Sequence, residues 1–427
     1  MEKPPWLAPA LLVGIALLIR VAAIGGDLDY VPAHDAFDYD RHARSIAAGE
    51  GFPESGYAPE GGPTALRPPV YPYFLGAVYA VFGDSVDAGR LAGALLGAAS
   101  VWLLFLVVLR IWGRRVALVA AAAAAVFPPL VLLSRELLSE QLFIALELGA
   151  VLCVLEARAS SRPLRWAAAA GALCGIATLT RNPGGVLILP VLIGLWRPQP
   201  GAAARGLAAP AVGLLCILLV MTPWTLRNWS EFGRFVPVTS STGFGLAGTY
   251  NDVSMDDADH PAAWRTPVIV PEYEPLFQAP QVDEGTLDAT LRREAVQFAW
   301  DHPGYAIEVS GRNLLRLFAV SGDSVVGRDS ELVVQRGIGS DRLPAERLSL
   351  ALALVLGAAG ALFIWRRRLP RGPLFLWLVP ALTVLVALPV AGLPRYRAPA
   401  DPFILILGAI GISCLWDETR KRWAAGS

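Results

Sequence analysis

His34-Asp35-Ala36-Phe37-Asp38-Tyr39 and, further along, Arg67-Pro68-Pro69-Val70-Tyr71-Pro72 frame an acidic, Gly/Pro-rich segment that also holds Asp27, Asp29, Asp40, Glu50, Glu54 and Glu60. The chain is apolar on both sides, from Trp6 to Ile24 before the segment and from Val70 onward after it. Carboxylates are costly inside a bilayer, so the flanks put this segment just outside the hydrocarbon, as a polar loop tethered between spans. A loop held in that way is a place for chemistry at a membrane surface.

The 427 residues are 55% hydrophobic and 17% charged, with a mean hydropathy of +0.50. A soluble chain carries about a quarter charged residues; here the charges are fewer and bunched between apolar runs. That pattern implies an all-α polytopic membrane protein. Lys+Arg (36) balances Asp+Glu (36), and no basic tract longer than a triplet such as Arg366 to Arg368 stands out, so nothing points to a nucleic-acid partner. Cys153, Cys174, Cys216 and Cys414 lie in apolar runs without CxxC spacing and read as small core residues rather than disulfide or metal sites. The four histidines are too scattered for a zinc site. Met1–Ile24 shows no small-residue cleavage site and reads as a retained first span.

Ten stretches are apolar enough to be read as spans: Trp6–Ile24, Ala88–Trp112, Val116–Leu133, Leu137–Glu156, Leu164–Thr180, Gly184–Trp196, Gly206–Leu226, Leu348–Trp365, Leu374–Leu393 and Pro399–Trp416. Val70–Phe82 is shorter and opened by prolines, and reads as a helix at the interface or partway into the membrane. With the amino terminus inside, the cytoplasmic connections hold Arg110, Arg114 and Arg115; Arg158, Arg162 and Arg165; Arg197 and Arg205; and Arg366, Arg367, Arg368 and Arg371. The opposite short loops hold only Arg135, Arg181, Arg395 and Arg397. This asymmetry puts both termini in the cytoplasm and the Asp35 segment outside the plasma (inner) membrane. The expected division is an N-terminal membrane module over 1–229, with its outer loop at 26–87, an extracytoplasmic segment over 230–345, and a C-terminal membrane module over 346–427. In the middle segment Leu287, Leu291, Ala295 and Phe298 share one helical face. Ile307, Leu314 and Phe318 suggest another, with Arg312 and Arg316 interleaved. No internal repeat is visible, which argues against a transporter built from duplicated halves.

Three further polar groups fall on the same side as the Asp35 loop: Arg135-Glu136 with Glu140 one turn below, Thr180-Arg181-Asn182, and Arg395-Tyr396-Arg397. Each also has a plain structural explanation. Asp35 and Asp38 could be loop or helix-capping residues, Arg135 and Glu136 a simple ion pair, and the arginines span ends at the headgroups. Glu136 and Glu140, spaced i, i+4, would share a helix face, and Glu140 should point inward or pair with an arginine. Asn251–His260 is rich in aspartate but lacks the central Gly and terminal Glu of a calcium loop, and reads as solvated. What favours chemistry is the combination. A carboxylate can take a proton from an acceptor, and guanidinium forks can bind a phosphate bidentately. Lys3 and Lys421 are the only lysines, both assigned to the cytoplasm, so a phosphate clamp outside must be built from arginine.

Asp35-x-x-x-Tyr39, Gly49-x-Gly51-Phe52, Arg67-Pro68-Pro69-x-Tyr71-Pro72, Leu138-Ser139-Glu140, Leu179-Thr180-Arg181, Thr222-Pro223-Trp224-x-x-Arg227-Asn228 and Arg395-Tyr396-Arg397-x-Pro399 follow one another in an order that resembles the integral-membrane GT-C glycosyltransferases. The likeness is narrower to the protein O-mannosyltransferase and aminoarabinose-transferase branch. The resemblance implies GT-C architecture, a polyprenyl-phosphate-linked sugar donor and transfer on the extracytoplasmic side; the acceptor, a hydroxyl or an amine, is left open. It implies Asp35 as the base, supported by Asp38 or Glu136. Arg67, Arg181, Arg395 and Arg397 form the pool for the donor phosphate, with Tyr39, Tyr71, Glu140 and Tyr396 in support. No cofactor is expected. A divalent cation at Asp35 and Asp38 is not favoured, because arginines already supply positive charge. The sizeable carboxy-terminal soluble domain of many relatives is not expected after the last span, so acceptor type cannot be inherited; no lysine is expected on the outer side, so a lysine phosphate contact used by some relatives must be replaced or absent. A lipid-linked-glycan flippase and a non-catalytic envelope scaffold are the rival readings.

Overall fold

The computed structural model describes residues 6–198, 206–279, 282–320, 343–366 and 369–426. Arg205, Arg367 and Arg368 of the orientation argument, and residues 321–342 of the middle segment, lie outside the described residues. Among those that are described the secondary structure is helical, with one isolated bridge between Glu54 and Pro63.

The apolar helix α1 (Leu7–Gly25) leads into α2 (Asp35–Ala47), and an irregular stretch separates that from α3 (Val70–Phe82). The Asp35 stretch is thus the first turn of a helix, where a free loop was expected. Its two aspartates suit the positive end of the helix dipole. α4 (Val86–Trp112) opens with Ser85 accepting from the Ala88 amide and closes at Gly113, whose φ of 82° suits a residue without a Cβ. α5 (Arg114–Val126) gives way to α6 (Pro128–Leu132) across a 54° bend, because Pro128 forces Phe127 into an extended conformation.

Glu136 follows in extended backbone and α7 (Glu140–Ala159) begins only four residues later, so the two glutamates do not share a helix face as their spacing suggested. α8 (Pro163–Thr178), α9 (Ile188–Leu195) and α10 (Ala208–Phe232) complete this half. The expected span Gly206–Leu226 continues as helix through Pro223 to Phe232. Thr222 and Thr225, on either side of the proline, donate their hydroxyls to the Leu218 and Met221 carbonyls at 2.7 and 3.1 Å.

The middle segment holds α11 (Thr242–Ala247), α12 (Asp252–Met255), α13 (Glu274–Gln278), α14 (Glu284–Asp301) and α15 (Pro303–Leu317) around a core of its own that includes Tyr250, Leu287, Leu291, Ala295 and Val309. On α15 the buried face is Tyr305, Val309, Asn313 and Arg316-Leu317, whereas Ile307 and Leu314 point outward. α16 (Leu343–Trp365), α17 (Leu374–Ala387) and α18 (Asp401–Gly426) end the chain.

Among the described residues α1, α4, α10, α16 and α18 are long and apolar enough to cross a membrane, five helices, or six if α5 and the bent turn after it count as one. The expected ten is not confirmed by this measure. α7 carries Glu140, Glu147, Glu156 and Arg158, and α8 and α17 have only 16 and 14 residues. Small residues let the long helices close on each other. A Cβ on Gly171 of α8 would stand 2.2 Å from the Gly213 carbonyl of α10, and one on Gly360 of α16 would stand 2.0 Å from the Leu407 carbonyl of α18.

Candidate active site

His34, with a left-handed φ of 54°, turns the chain sharply into α2 and delivers Asp35 to its first turn. Asp35 receives two arginines from distant parts of the sequence. Arg67 Nη2 donates to Oδ1 at 2.6 Å, and Arg395 Nη2 donates to Oδ2. Arg67 also donates from Nε to Asp38 Oδ2 at 2.7 Å, so its guanidinium lies between the two aspartates. Pro68 and Pro69 restrict the backbone just after Arg67. The Arg67 guanidinium lies 5.3 Å from the Tyr39 ring, and Tyr71 meets that ring edge-on at 4.7 Å.

Glu140 opens α7 and is buried at 1% exposure. Its Oε1 lies 3.3 Å from Arg181 and 3.6 Å from Arg395. The cost of a lipid-facing carboxylate is avoided in the manner its position in the sequence required. Arg181 and Arg395 also approach the Tyr396 ring, at 5.7 and 5.2 Å. Among the described residues, Nε and Nη1 of Arg181 and Nε of Arg395 find no hydrogen-bond acceptor. Both arginines line a cavity of about 230 Å³, together with Asp35, Tyr39, Arg67, Ser139, Glu140, Tyr396 and the Ser241-Thr242 pair.

Burial alone would raise the pKa of Asp35, but Arg67 and Arg395 outweigh it and hold the carboxyl well below the usual range. Asp38 is lowered on balance as well, with Arg67, His42 and Arg41 acting against its burial. Burial pushes Glu136 upward; it accepts from the Tyr30 hydroxyl at 3.0 Å and does not line the cavity.

Of the residues singled out in the sequence, Asp35, Tyr39, Arg67, Glu140, Arg181, Arg395 and Tyr396 line this cavity. Asp38 and Tyr71 stand behind Arg67 and Tyr39. Arg397 is turned away: its Nε donates to Asp401 at 2.6 Å and its Nη1 to the Leu317 carbonyl. The reason is the 3₁₀ turn Pro394–Ala400, with three residues per turn, in which residues two apart face different sides. Ser241 and Thr242 were not singled out as site residues, although the Ser/Thr-rich run that contains them was visible. Asn182 Nδ2 donates to Ser241 Oγ at 3.1 Å and ties that wall to the Arg181 turn. Among the described residues no three His, Cys, Asp or Glu side chains gather as a metal site, and the Arg67 guanidinium fills the gap between Asp35 and Asp38.

The apo oligosaccharyltransferase of Archaeoglobus fulgidus superposes on 99% of the chain with a TM-score of 0.59 at 14% identity. The chain has the GT-C fold. A second structure of the same archaeal oligosaccharyltransferase, in complex with an inhibitory peptide and a dolichol-phosphate, matches 98% of the chain with a TM-score of 0.59 at 14% identity. Residues 66–226 match the family described as dolichyl-phosphate-mannose-protein mannosyltransferase. Over 211 residues, 46% of the chain, it is 30% identical to undecaprenyl phosphate-alpha-4-amino-4-deoxy-L-arabinose arabinosyl transferase 1 of Pseudomonas fluorescens (strain Pf0-1). These findings bear out the resemblance carried by the motifs. The chain covers 35% of the arabinosyl transferase. It covers 52% and 51% of the two oligosaccharyltransferase chains.

Proposed function

We propose that this membrane protein transfers a sugar from a polyprenyl-phosphate-linked donor to a hydroxyl or amine acceptor on the extracytoplasmic face of the plasma membrane, with both termini in the cytoplasm. The observation that carries the reading is the pair Arg181 and Arg395, buried beside Asp35 with unpaired N–H groups on one cavity. An unpaired buried donor is costly, and a phosphate supplies the acceptors these groups lack. Val386 of α17 both lines the cavity and is exposed at the helix surface, which suits the exit of a prenyl chain into lipid.

Arg395 is engaged by Asp35. The donor phosphate competes for that guanidinium and frees one carboxylate oxygen to face the acceptor. Asp35 then takes the acceptor proton as the acceptor oxygen or nitrogen bonds to the anomeric carbon. The bond from that carbon to the phosphate oxygen breaks, and the electron pair leaves with the phosphate, where Arg181 and Arg395 offset the developing charge. The products are the glycosylated acceptor and a polyprenyl phosphate. Arg67 stays with Asp38 and keeps Asp35 oriented. The positive charge comes from arginine, so transfer should survive EDTA, with activity lost to chelation as the contrary result. Incubation of the purified protein with labelled polyprenyl-phosphate sugars in native membrane lipid tests the reading. The enzyme consumes the donor, whereas a flippase or a scaffold leaves it intact.

A further inference from the structure

Glu284 is buried at 2% exposure. Its carboxylate accepts from Ser55 Oγ at 2.5 Å and Thr64 Oγ1 at 2.7 Å on one oxygen. The other oxygen accepts from the Ala65 amide at 2.7 Å and from Ser240 Oγ. One side chain at the start of α14 therefore fastens two separate stretches of chain. Ala65 lies two residues before Arg67, and Ser240 directly precedes Ser241 on the opposite wall of the cavity. One turn along α14, Asp288 accepts from the Gly243 amide at 2.5 Å. The two carboxylates, four apart on one helix face, thus clasp the chain on either side of Ser241-Thr242. Gly243 must be glycine for this approach, since a Cβ there would stand 2.0 Å from the Asp288 carbonyl.

We propose that Glu284, seconded by Asp288, is a positioning residue of the site, setting Arg67 and the Ser241-Thr242 wall at their places across the cavity. The proposal rests on the glycosyltransferase reading above and adds to it a role for the middle segment. Glu284 touches neither donor nor acceptor; it acts through the residues it fastens. Arg181 and Arg395 are carried by other elements, the turn after α8 and the 3₁₀ turn 394–400, and Glu284 reaches them only through intermediaries, the Asn182–Ser241 hydrogen bond and the Arg67–Asp35 pair. A carboxylate that fixes reacting groups without binding the phosphate should affect turnover and leave donor affinity alone.

The test uses the full chain in lipid, a panel of labelled polyprenyl-phosphate monosaccharides for turnover, and unlabelled polyprenyl phosphate for binding. Glu284→Ala should lower kcat on the order of 10²-fold, the scale of a 1 Å misplacement. Affinity for polyprenyl phosphate should stay within about twofold, as expected when only transition-state geometry is lost. Glu284→Gln keeps the volume and should show the same split more weakly, as should Thr64→Val, which removes a single donor; these two hold the test open if the alanine variant does not fold. In an Arg67→Ala background Glu284→Gln should cost little more, because both act on one unit. The proposal is overturned if kcat is unchanged, if affinity and Tm fall together with kcat, or if the losses multiply in the Arg67→Ala background. Turnover by the parent with unaffected Glu284 variants sinks this proposal alone. A parent that consumes no donor overturns the glycosyltransferase reading and this proposal with it.

Discussion

At the scale of single residues, the site is a balanced cluster in which Arg67, Arg181 and Arg395 face Asp35, Asp38 and Glu140. A carboxyl lowered by two arginines stays ionised across neutral pH. Its base function is present above its folded pKa and lost only as pH falls through that value. The pH profile of kcat/KM, which reports the free enzyme, should therefore show no acid limb between pH 7 and about pH 4, near the ordinary aspartate value. An acid limb well above that range would mean another group is the base. That the positive charge at the cavity comes from arginine was legible, because Lys3 and Lys421 near the chain ends are the sole lysines; which arginine mattered was not. A 3₁₀ turn sends Arg395 and Arg397 to different sides, and Arg-x-Arg spacing alone does not reveal the kind of turn. Arg397→Ala should leave Asp401 as a buried unpaired carboxylate and destabilise the protein by about 3–5 kcal/mol, the usual penalty for breaking a buried pair. Thermal unfolding should report that loss while polyprenyl phosphate affinity in the folded fraction holds. Arg395→Lys should do the reverse, because it keeps the charge but loses the bidentate fork.

At the scale of elements, apolar runs located most helices, because burial in lipid or protein leaves a continuous signal. Their ends were harder to read. The span expected to close at Leu226 runs on as helix to Phe232. Asp35 and Asp38 looked like loop residues, yet the carboxylates of the first turn of α2 are held by a partner 32 residues away in Arg67, a contact that local pattern does not contain. On α15 the protein-facing side was not legible, because Asn313 and Arg316 are buried polar residues. They donate to the Leu388 carbonyl and to the Pro261 and Ala262 carbonyls, so the packed stripe is not the apolar one. Close helix approach makes a sharper prediction. Gly171→Leu should prevent α8 from meeting α10 at Gly213, and the variant should show a large loss of folded yield by detergent size-exclusion chromatography. A parental yield would show that the crossing can open without cost.

At the scale of the whole molecule, three remote stretches of sequence come together at one cavity: the first turn of α2, the turn after α8 and the 3₁₀ turn before α18. The middle segment closes that cavity with Ser241-Thr242. The four polar groups were legible as one set because a membrane protein gathers its loops at two surfaces. The clasp from Glu284 was not, since its partners are backbone and hydroxyl groups without a pattern of their own. Orientation is checked with impermeant thiol reagents in intact cells. Cysteine at exposed Glu60 should react and cysteine at exposed Arg371 should not, the native cysteines being buried or half-buried. The reverse pattern would put the cavity on the cytoplasmic face. The chemistry itself turns on Asp35, and the most direct measurement is Asp35→Asn with donor turnover and polyprenyl phosphate binding read on the same preparation. Transfer should fall on the order of 10²–10⁴-fold, the contribution of a positioned base. Binding should be as tight as in the parent or tighter, because the phosphate no longer competes with a carboxylate for Arg395. Near-parental transfer by Asp35→Asn would contradict the assignment of this carboxylate as the base.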